Sequence, residues 1–134
     1  MTISLIIPAC DAQATIERTI ISLLRQTETD WEAIIVADDL YHYSAFLAGK
    51  GISDPRIKHA STGLHRSGCH HARNVGFPLI AGDYVTQLDA DDEITADRLA
   101  TLKPLAKIYG AAADNLLMID DETHDEIGTP PWCT

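Results

Sequence analysis

The sequence predicts an α/β fold in which a mainly parallel sheet carries helices on both faces. Three observations predict it. Short apolar runs of strand length recur along the chain, and strands buried on both faces read as continuous apolar runs. Segments of helical periodicity separate them, and strands alternating with helices build parallel sheets. Finally, three of the strand-like runs stop at polar or acidic residues, and in a parallel sheet such carboxyl ends share one edge, where ligands bind.

Residues 3–7 are an apolar run closed by Pro8 and read as a buried strand. Ile16, Ile20, Leu23 and Leu24 recur at helical spacing, which predicts an amphipathic helix over 15–26. Residues 32–37 form a second buried strand ending in Asp38-Asp39. A short helix is expected around 44–48, stopped by Gly49 and Gly51, then a turn at Asp54-Pro55 and a short strand over 56–60 with Ile57 inward. A loop over 61–68 precedes a helix from Cys69 to about Ile80, weakened by Gly76 and Pro78. The next strand, 83–88, runs into Asp89-Ala90-Asp91-Asp92. Thr95 is a good N-cap for a helix over 96–109, with Asp97 in its first turn and a kink or break expected at Pro104. Leu116 to Ile119 reads as a last strand.

At 134 residues the chain is expected to be one domain, residues 1–134, large enough for a real core. Twenty acidic against ten basic residues give a net charge of −10. That argues against nucleic acid or an anionic membrane as the main partner. Cys10, Cys69 and Cys133 are odd in number and far apart, so neither a disulfide framework nor a zinc site is indicated, and a cytoplasmic location is expected. The apolar start is too short for a signal peptide, and no stretch is long enough to span a bilayer. Attachment at the inner face of a membrane through segments outside this chain stays open.

The chemistry concentrates at three strand ends: Pro8-Ala9-Cys10-Asp11, Asp38-Asp39 and Asp89-Ala90-Asp91-Asp92. Each alone could be a turn former or helix cap. Together on one edge they can converge on one ligand, and Asp-x-Asp can present a hard divalent cation to phosphate oxygens. An EF-hand loop starting at Asp89 would need Gly at position 94 and Glu at position 100, where the chain has Ile94 and Ala100. A phosphoryl-aspartate enzyme would need its nucleophile on the first strand and a downstream lysine, but the motif is on a later strand and the last lysine is Lys107. A receiver domain would need a lysine on the final strand, and residues 114–119 have none.

Ordered motifs carry a family resemblance. Residues 6–12 resemble a strand-one pattern of apolar residues followed by Pro, Ala, Tyr and Asn. Residues 20–27 resemble a helix end that reads serine-valine-leucine-x-glutamine-threonine. Residues 31–39 resemble the second strand with its acidic end. Ala72-Arg73-Asn74-Val75-Gly76 matches an alanine-arginine-asparagine-x-glycine helix, and Ala81-Gly82-Asp83-Tyr84 the approach to a metal-binding strand. The chain thus resembles the N-terminal half of a family-two glycosyltransferase, with a Rossmann-like GT-A nucleotide-binding sandwich. The expectation is a donor-binding half, a fragment or a truncated protein, whose open face would favour self-association.

The resemblance implies a nucleotide-sugar site built from Pro8, Ala9, Asp11, Asp38, Asp39, Arg73, Asp89 and Ala90. Pro8, Ala9 and Asp39 would line the base, usually uracil, and Asp38 would support the ribose side. Arg73 would meet the phosphates or orient the acidic edge. Asp91 would ligate Mn²⁺ or Mg²⁺ directly, with Asp89 on the ribose or the metal's waters, and Asp92 would be a second ligand or the cap of the next turn. The donor would be a UDP-sugar and the acceptor an unidentified glycan or lipid-linked glycan. The family's base-stacking aromatic is replaced by Cys10, and its turn after the acidic pair, usually Gly-Ser, by Leu40-Tyr41-His42-Tyr43. Tyr41 or Tyr43 could supply the missing ring. His65, Arg66, His70 and His71 read as surface residues that could also approach phosphates. No residue is identified as the catalytic base, since Asp120, Asp121 and Glu122 come too early for it. The two readings are a sugar transferase, or its donor-binding portion, and a non-catalytic nucleotide-sugar-binding module.

Overall fold

The computed structural model describes residues 1–115 and 117–129. The chain forms two compact units, Met1–Ala100 and Thr101–Thr134. The first unit holds β1 (Ile3–Ala9), α1 (Ile16–Leu24), β2 (Trp31–Ala37), α2 (Tyr43–Gly49), β3 (Ile57–Ser61), α3 (Cys69–Gly76), a 3₁₀ turn (Phe77–Leu79), β4 (Tyr84–Gln87) and the start of α4 (Arg98–Tyr109). Its sheet has the order β3-β2-β1-β4, and every pair is parallel. The chain steps outward from β1 to β3, then crosses back over the sheet to place β4 on the other side of β1. With right-handed crossovers this sends α1 and α2 to one face and α3 to the other.

The side chains follow that rule. Leu5, Ile7 and Ala9 of β1, with Ala33, Ile35 and Ala37 of β2, pack with Ile16, Ile20 and Leu23 of α1 and Leu47 of α2. On the opposite face Ile6, Ile34 and Val36 meet Ala72 of α3, with Val75 packed alongside. The expected sheet with helices on both faces is therefore present. Gly76 lets α3 approach closely, because a Cβ there would stand 2.9 Å from Ile6 Cγ2 and 3.0 Å from Val36 Cγ2.

One polar knot is buried on the α3 face. Glu32 Oε1 accepts the Ser4 hydroxyl at 2.7 Å and the Ala81 amide at 2.6 Å, while Oε2 accepts Lys58 Nζ at 2.6 Å. The Gly82 amide donates to Ser4 Oγ at 2.9 Å. Burial opposes the charge on Glu32, and these donors overcome it and hold its carboxyl down at about 2. The knot ties β1, β2 and β3 to the segment entering β4, and so sets where β4 and its acidic end lie.

Several element boundaries differ from expectation. The helix expected over 69–80 ends at Gly76 and passes into the 3₁₀ turn, since Pro78 lacks an amide. α4 begins at Arg98, not Ala96, so Asp97 precedes the helix. Its start is fastened from outside by Gln26 of the α1–β2 loop: Nε2 donates to the Thr95 carbonyl at 2.6 Å and Oε1 accepts the Leu99 amide at 3.0 Å. α4 runs through Pro104 without a break.

The second unit contains the remainder of α4 and a two-stranded antiparallel sheet, β5 (Met118–Ile119) with β6 (Glu126–Gly128). The expected strand over 116–119 is thus the short β5, with Leu116 outside the described residues. Asp120 forms the turn between β5 and β6, where Oδ1 accepts the amides of Glu122 at 3.0 Å and Thr123 at 2.7 Å. Cys133 and the tail from Pro130 also lie outside the described residues. Among the described residues no helix is long and apolar enough to cross a membrane.

Candidate functional site

The β1–β2 register carries both strands to the same level, with Ala9 opposite Ala37, and the Asp38 amide then donates to the Ala9 carbonyl at 2.8 Å. Side chains along a strand alternate between faces. Asp38 follows Ile34 and Val36 toward the α3 face, and Asp39 follows Ile35 and Ala37 toward the α1/α2 face. Adjacent carboxylates therefore do different work.

Asp38 is buried, at 3% exposure. Its Oδ1 accepts the Thr62 hydroxyl at 2.7 Å and the Ser67 hydroxyl, and its Oδ2 accepts the Gly68 amide at 2.8 Å. Burial opposes its charge, but the Ser67 and Thr62 hydroxyls and the Gly68 amide outweigh that and hold the carboxyl at about 2. Asp38 thereby pins the β3–α3 loop against the sheet edge. The Arg66 amide, 2.7 Å from the Asp38 carbonyl, and an isolated bridge between Asp39 and His65 continue the fastening.

Asp39 is half-buried and faces the β1 end. Its Oδ2 accepts the Asp11 amide at 2.7 Å and the Tyr43 hydroxyl at 2.6 Å, and its Oδ1 accepts the Tyr41 amide at 3.1 Å. Asp11 in turn holds Arg66 Nη2 at 2.6 Å through Oδ2. Asp11, Leu40 and Arg66 all have left-handed backbone, with φ of 52°, 62° and 55°. Such conformations strain a residue with a side chain, and they concentrate where a fold over-determines a site. Ala9 is fully buried, its carbonyl taken by the Asp38 amide, and Pro8 is half-buried beside it.

The β4 end lies on the other side of β1. Here Arg73 of α3, with 20% of its side chain exposed, donates through Nη2 to Asp89 Oδ1 at 2.9 Å. Its Nη1 lies 3.6 Å from Cys69 Sγ, and its buried Nε has no hydrogen-bond partner among the described residues. Ala90 is buried, its carbonyl accepting the Thr19 hydroxyl at 3.0 Å, and Arg18 Nη2 donates to the Asp91 carbonyl at 3.2 Å. Both contacts anchor the Asp89–Asp92 turn to α1. The Asp91 side chain is exposed, and no hydrogen bond or ion pair among the described residues engages it. Partial desolvation, then the charges of Asp91 and Asp89, push the Asp92 carboxyl up. The Asp92 amide closes the turn onto the Asp89 carbonyl at 3.1 Å.

Among the described residues, two places could interest a cation. Cys10, Asp11 and Asp39 bring one ligand atom each within 4.8 Å of one another. That group is already filled from within, by Arg66 on Asp11 and by two amides and a hydroxyl on Asp39. The Asp89–Asp91 turn offers fewer groups but leaves Asp91 uncommitted. One or two carboxylates completed by phosphate oxygens and water is how Mg²⁺ commonly binds. Asp91 could serve such an ion if a ligand brought the bulk of the coordination.

The structure separates the two tyrosines proposed as replacement aromatics. Tyr43 is buried, at 2% exposure, and its ring cannot stack on a ligand. Tyr41 is exposed, lies edge-on to Tyr43 at 5.0 Å between centroids, and lines a cleft of about 550 Å³ with His42, His59 and Ser61. Arg66 lies at the surface as expected, with 70% of its side chain exposed, and is also paired to Asp11. Nothing local signals that partnership, because 55 residues separate the two. Thr62, Ser67 and the Tyr43 hydroxyl were missed for the same reason.

Residues 4–129 match the family described as Glycosyl transferase family 2. The chain is 34% identical over 97 residues to UDP-Glc:alpha-D-GlcNAc-diphosphoundecaprenol beta-1,3-glucosyltransferase WfgD of Escherichia coli, covering 72% of this chain and 38% of that protein. Its fold matches that of S. aureus TarS 1-349 in complex with UDP, with a TM-score of 0.72 at 22% identity over 82% of this chain and 33% of the other. It also matches mannosyltransferase PcManGT from Pyrobaculum calidifontis in complex with GDP-Man and Mn²⁺, with a TM-score of 0.62 at 20% identity over 73% and 30%. The chain spans about a third of the length of these proteins.

Proposed function

The chain belongs to glycosyl transferase family 2, and from that premise we propose that it is the donor-binding portion of an inverting glycosyltransferase that takes a nucleotide-diphosphate sugar. The observation that carries this reading is the pair of acidic constellations on either side of the β1 end. Asp39 stands at one, and Asp89 with Arg73 and the uncommitted Asp91 at the other. A nucleotide laid across β1 reaches both, with its base toward Asp39 and its diphosphate toward Arg73.

The residues divide the work as follows. Asp39 accepts the N3–H of a uracil, and a carboxylate there disfavours cytosine, which presents an acceptor at that position. Pro8, Ala9 and Asp11 supply the floor of the base and ribose site, and Tyr41 offers the exposed ring. Asp38 contributes to the ribose side by fixing the loop that carries Ser67 and Gly68. Arg73 holds Asp89 in place and presents its guanidinium to phosphate oxygens. Asp91, supported by Asp89 and the Ala90 backbone, would hold Mn²⁺ or Mg²⁺, which when bound neutralises charge on the departing diphosphate. We assign no catalytic base to this chain. A UDP-sugar is favoured because the Escherichia coli relative is named for UDP-Glc, and the diphosphoundecaprenol in the same name favours a lipid-linked glycan acceptor.

The test is calorimetric titration of UDP, GDP and their sugars with and without Mn²⁺. UDP and UDP-sugars should bind, Mn²⁺ should tighten them roughly tenfold or more, and Asp91→Ala should abolish the metal's contribution. The absence of nucleotide binding in the presence of Mn²⁺, together with an inert Asp91→Ala, would refute the donor-site reading. Tight binding with neither donor hydrolysis nor transfer by the full-length protein would favour a nucleotide-sugar-binding module.

A further inference from the structure

We propose that Tyr43 is a positioning residue that makes Asp39 selective for a pyrimidine that carries its N–H at ring position N3. The inference rests on the donor-site reading above and adds a specificity device to it. Tyr43 opens α2, is 2% exposed, and directs its hydroxyl out of the core toward the β1 end.

The direction of its hydrogen bonds follows from chemistry. Tyr43 Oη lies 3.0 Å from the Ala12 amide and 2.6 Å from Asp39 Oδ2. An amide can only donate, so Oη accepts from Ala12, and the hydroxyl proton is left for the carboxylate. Asp39 therefore receives a short bond of fixed direction from a side chain that packing holds still. An edge-on contact with Tyr41, at 5.0 Å between centroids, adds to that packing.

The count of acceptor positions makes this selective. A carboxylate has about four lone-pair positions. On Oδ2 the Asp11 amide and the Tyr43 hydroxyl fill both, and on Oδ1 the Tyr41 amide fills one. One position on Oδ1 remains, and it accepts only a donor. An incoming acceptor, such as cytosine N3, meets a fixed negative oxygen. Without the Tyr43 bond the carboxylate can turn about its Cβ–Cγ bond, and the vacancy loses its place. The same hydroxyl joins the β1–α1 loop at Ala12 to the β2–α2 loop at Asp39, so both sides of the base site move as one.

Tyr43→Phe removes the hydroxyl and keeps the ring. In the nucleotide-free chain, hydrogen exchange at the Ala12 amide should accelerate, because that amide loses its acceptor. In calorimetry the preference for UDP over CDP should fall roughly tenfold, the size of one charge-assisted hydrogen bond, while uniform loss of both nucleotides would indicate a merely structural role. Unchanged Ala12 exchange, or an unchanged UDP-to-CDP ratio in a variant that still binds, overturns the proposal and leaves the donor site standing. Failure of the unmodified chain to bind UDP at all overturns both. If the variant does not fold, the Tyr43 hydroxyl proton of the unmodified chain gives the answer by NMR. It should shift when UDP binds, and a resonance indifferent to UDP overturns the proposal.

Discussion

Replacing Asp38 by Asn isolates the contribution of one buried charge to this fold. The substitution keeps shape and volume but cannot satisfy the same partners. Asp38 Oδ1 accepts two hydroxyls and Oδ2 accepts the Gly68 amide. An asparagine that keeps its oxygen toward Thr62 and Ser67 turns its NH₂ against the Gly68 N–H, donor against donor. The folded carboxyl sits at about 2, against about 3.9 for an unperturbed Asp, and that gap is worth about 2.5 kcal/mol at neutral pH. Because the folded value is the lower one, this stabilisation is fully present above the unfolded value and is lost as pH falls from about 4 through 2. Urea unfolding at pH 7, followed by circular dichroism, should show Asp38→Asn less stable by about 2.5 kcal/mol, with Tm lower by roughly 10 °C. Repeated at successively lower pH, the difference between the two proteins should close between about pH 4 and pH 2. A variant within about 0.5 kcal/mol of the parent at pH 7, or a difference that does not shrink on acidification, would refute the assignment of Asp38 as the charged pin of the β3–α3 loop.

Other perturbations test the frame around the site. Glu32→Gln should cost about 3 kcal/mol at pH 7, since the Glu32 carboxyl also sits at about 2 when folded, and the loss should fade as pH falls from about 4 to 2 in the parent. Lys58→Ala, which removes a partner that is 45% exposed, should cost less than half as much by the same unfolding assay. Gly82→Ala should destabilise by about 1–3 kcal/mol or more, because its Cβ would stand 2.6 Å from the Thr2 carbonyl oxygen and 2.6 Å from Ser4 Oγ. Gly49→Ala, with nothing within 4 Å, should be close to neutral in the same measurement. Arg73→Lys keeps the charge and removes the planar fork. It should weaken UDP roughly tenfold or more while leaving uridine binding nearly unchanged, and equal loss of both would mean that Arg73 does not meet the diphosphate.

Much of this arrangement was legible residue by residue. Apolar runs such as Ile3–Ile7 and 32–37 read as buried strands from their length and β-branched content, and the Asp38-Asp39 and Asp89–Asp92 clusters follow their strands directly in sequence. What was illegible depended on distant partners. Gln26 caps α4 from 73 residues away at Leu99, so the start of that helix could not be read from Thr95 alone. Pro104 signals a break by its own chemistry, yet α4 runs through it. Tyr41 and Tyr43 looked equivalent as sources of an aromatic ring, and only burial distinguishes them.

By itself the sequence determined the alternation of strands and helices, the parallel sheet and the acidic edge, because these rest on periodicity and on residues adjacent along the chain. It also carried the family motifs, from the strand-one Pro8-Ala9 to Ala72-Arg73-Asn74. The tertiary structure decided how the carboxylates differ. Side chains alternate across a strand, so Asp38 turns toward α3 and is buried under the β3–α3 loop, while Asp39 turns toward α2 and meets Tyr43. Placing β2 and β4 on opposite flanks of β1 then sets Asp39 apart from Asp89 and Asp91 with the β1 end between them. That order comes from the reversal of the chain after β3, which no local stretch of sequence encodes.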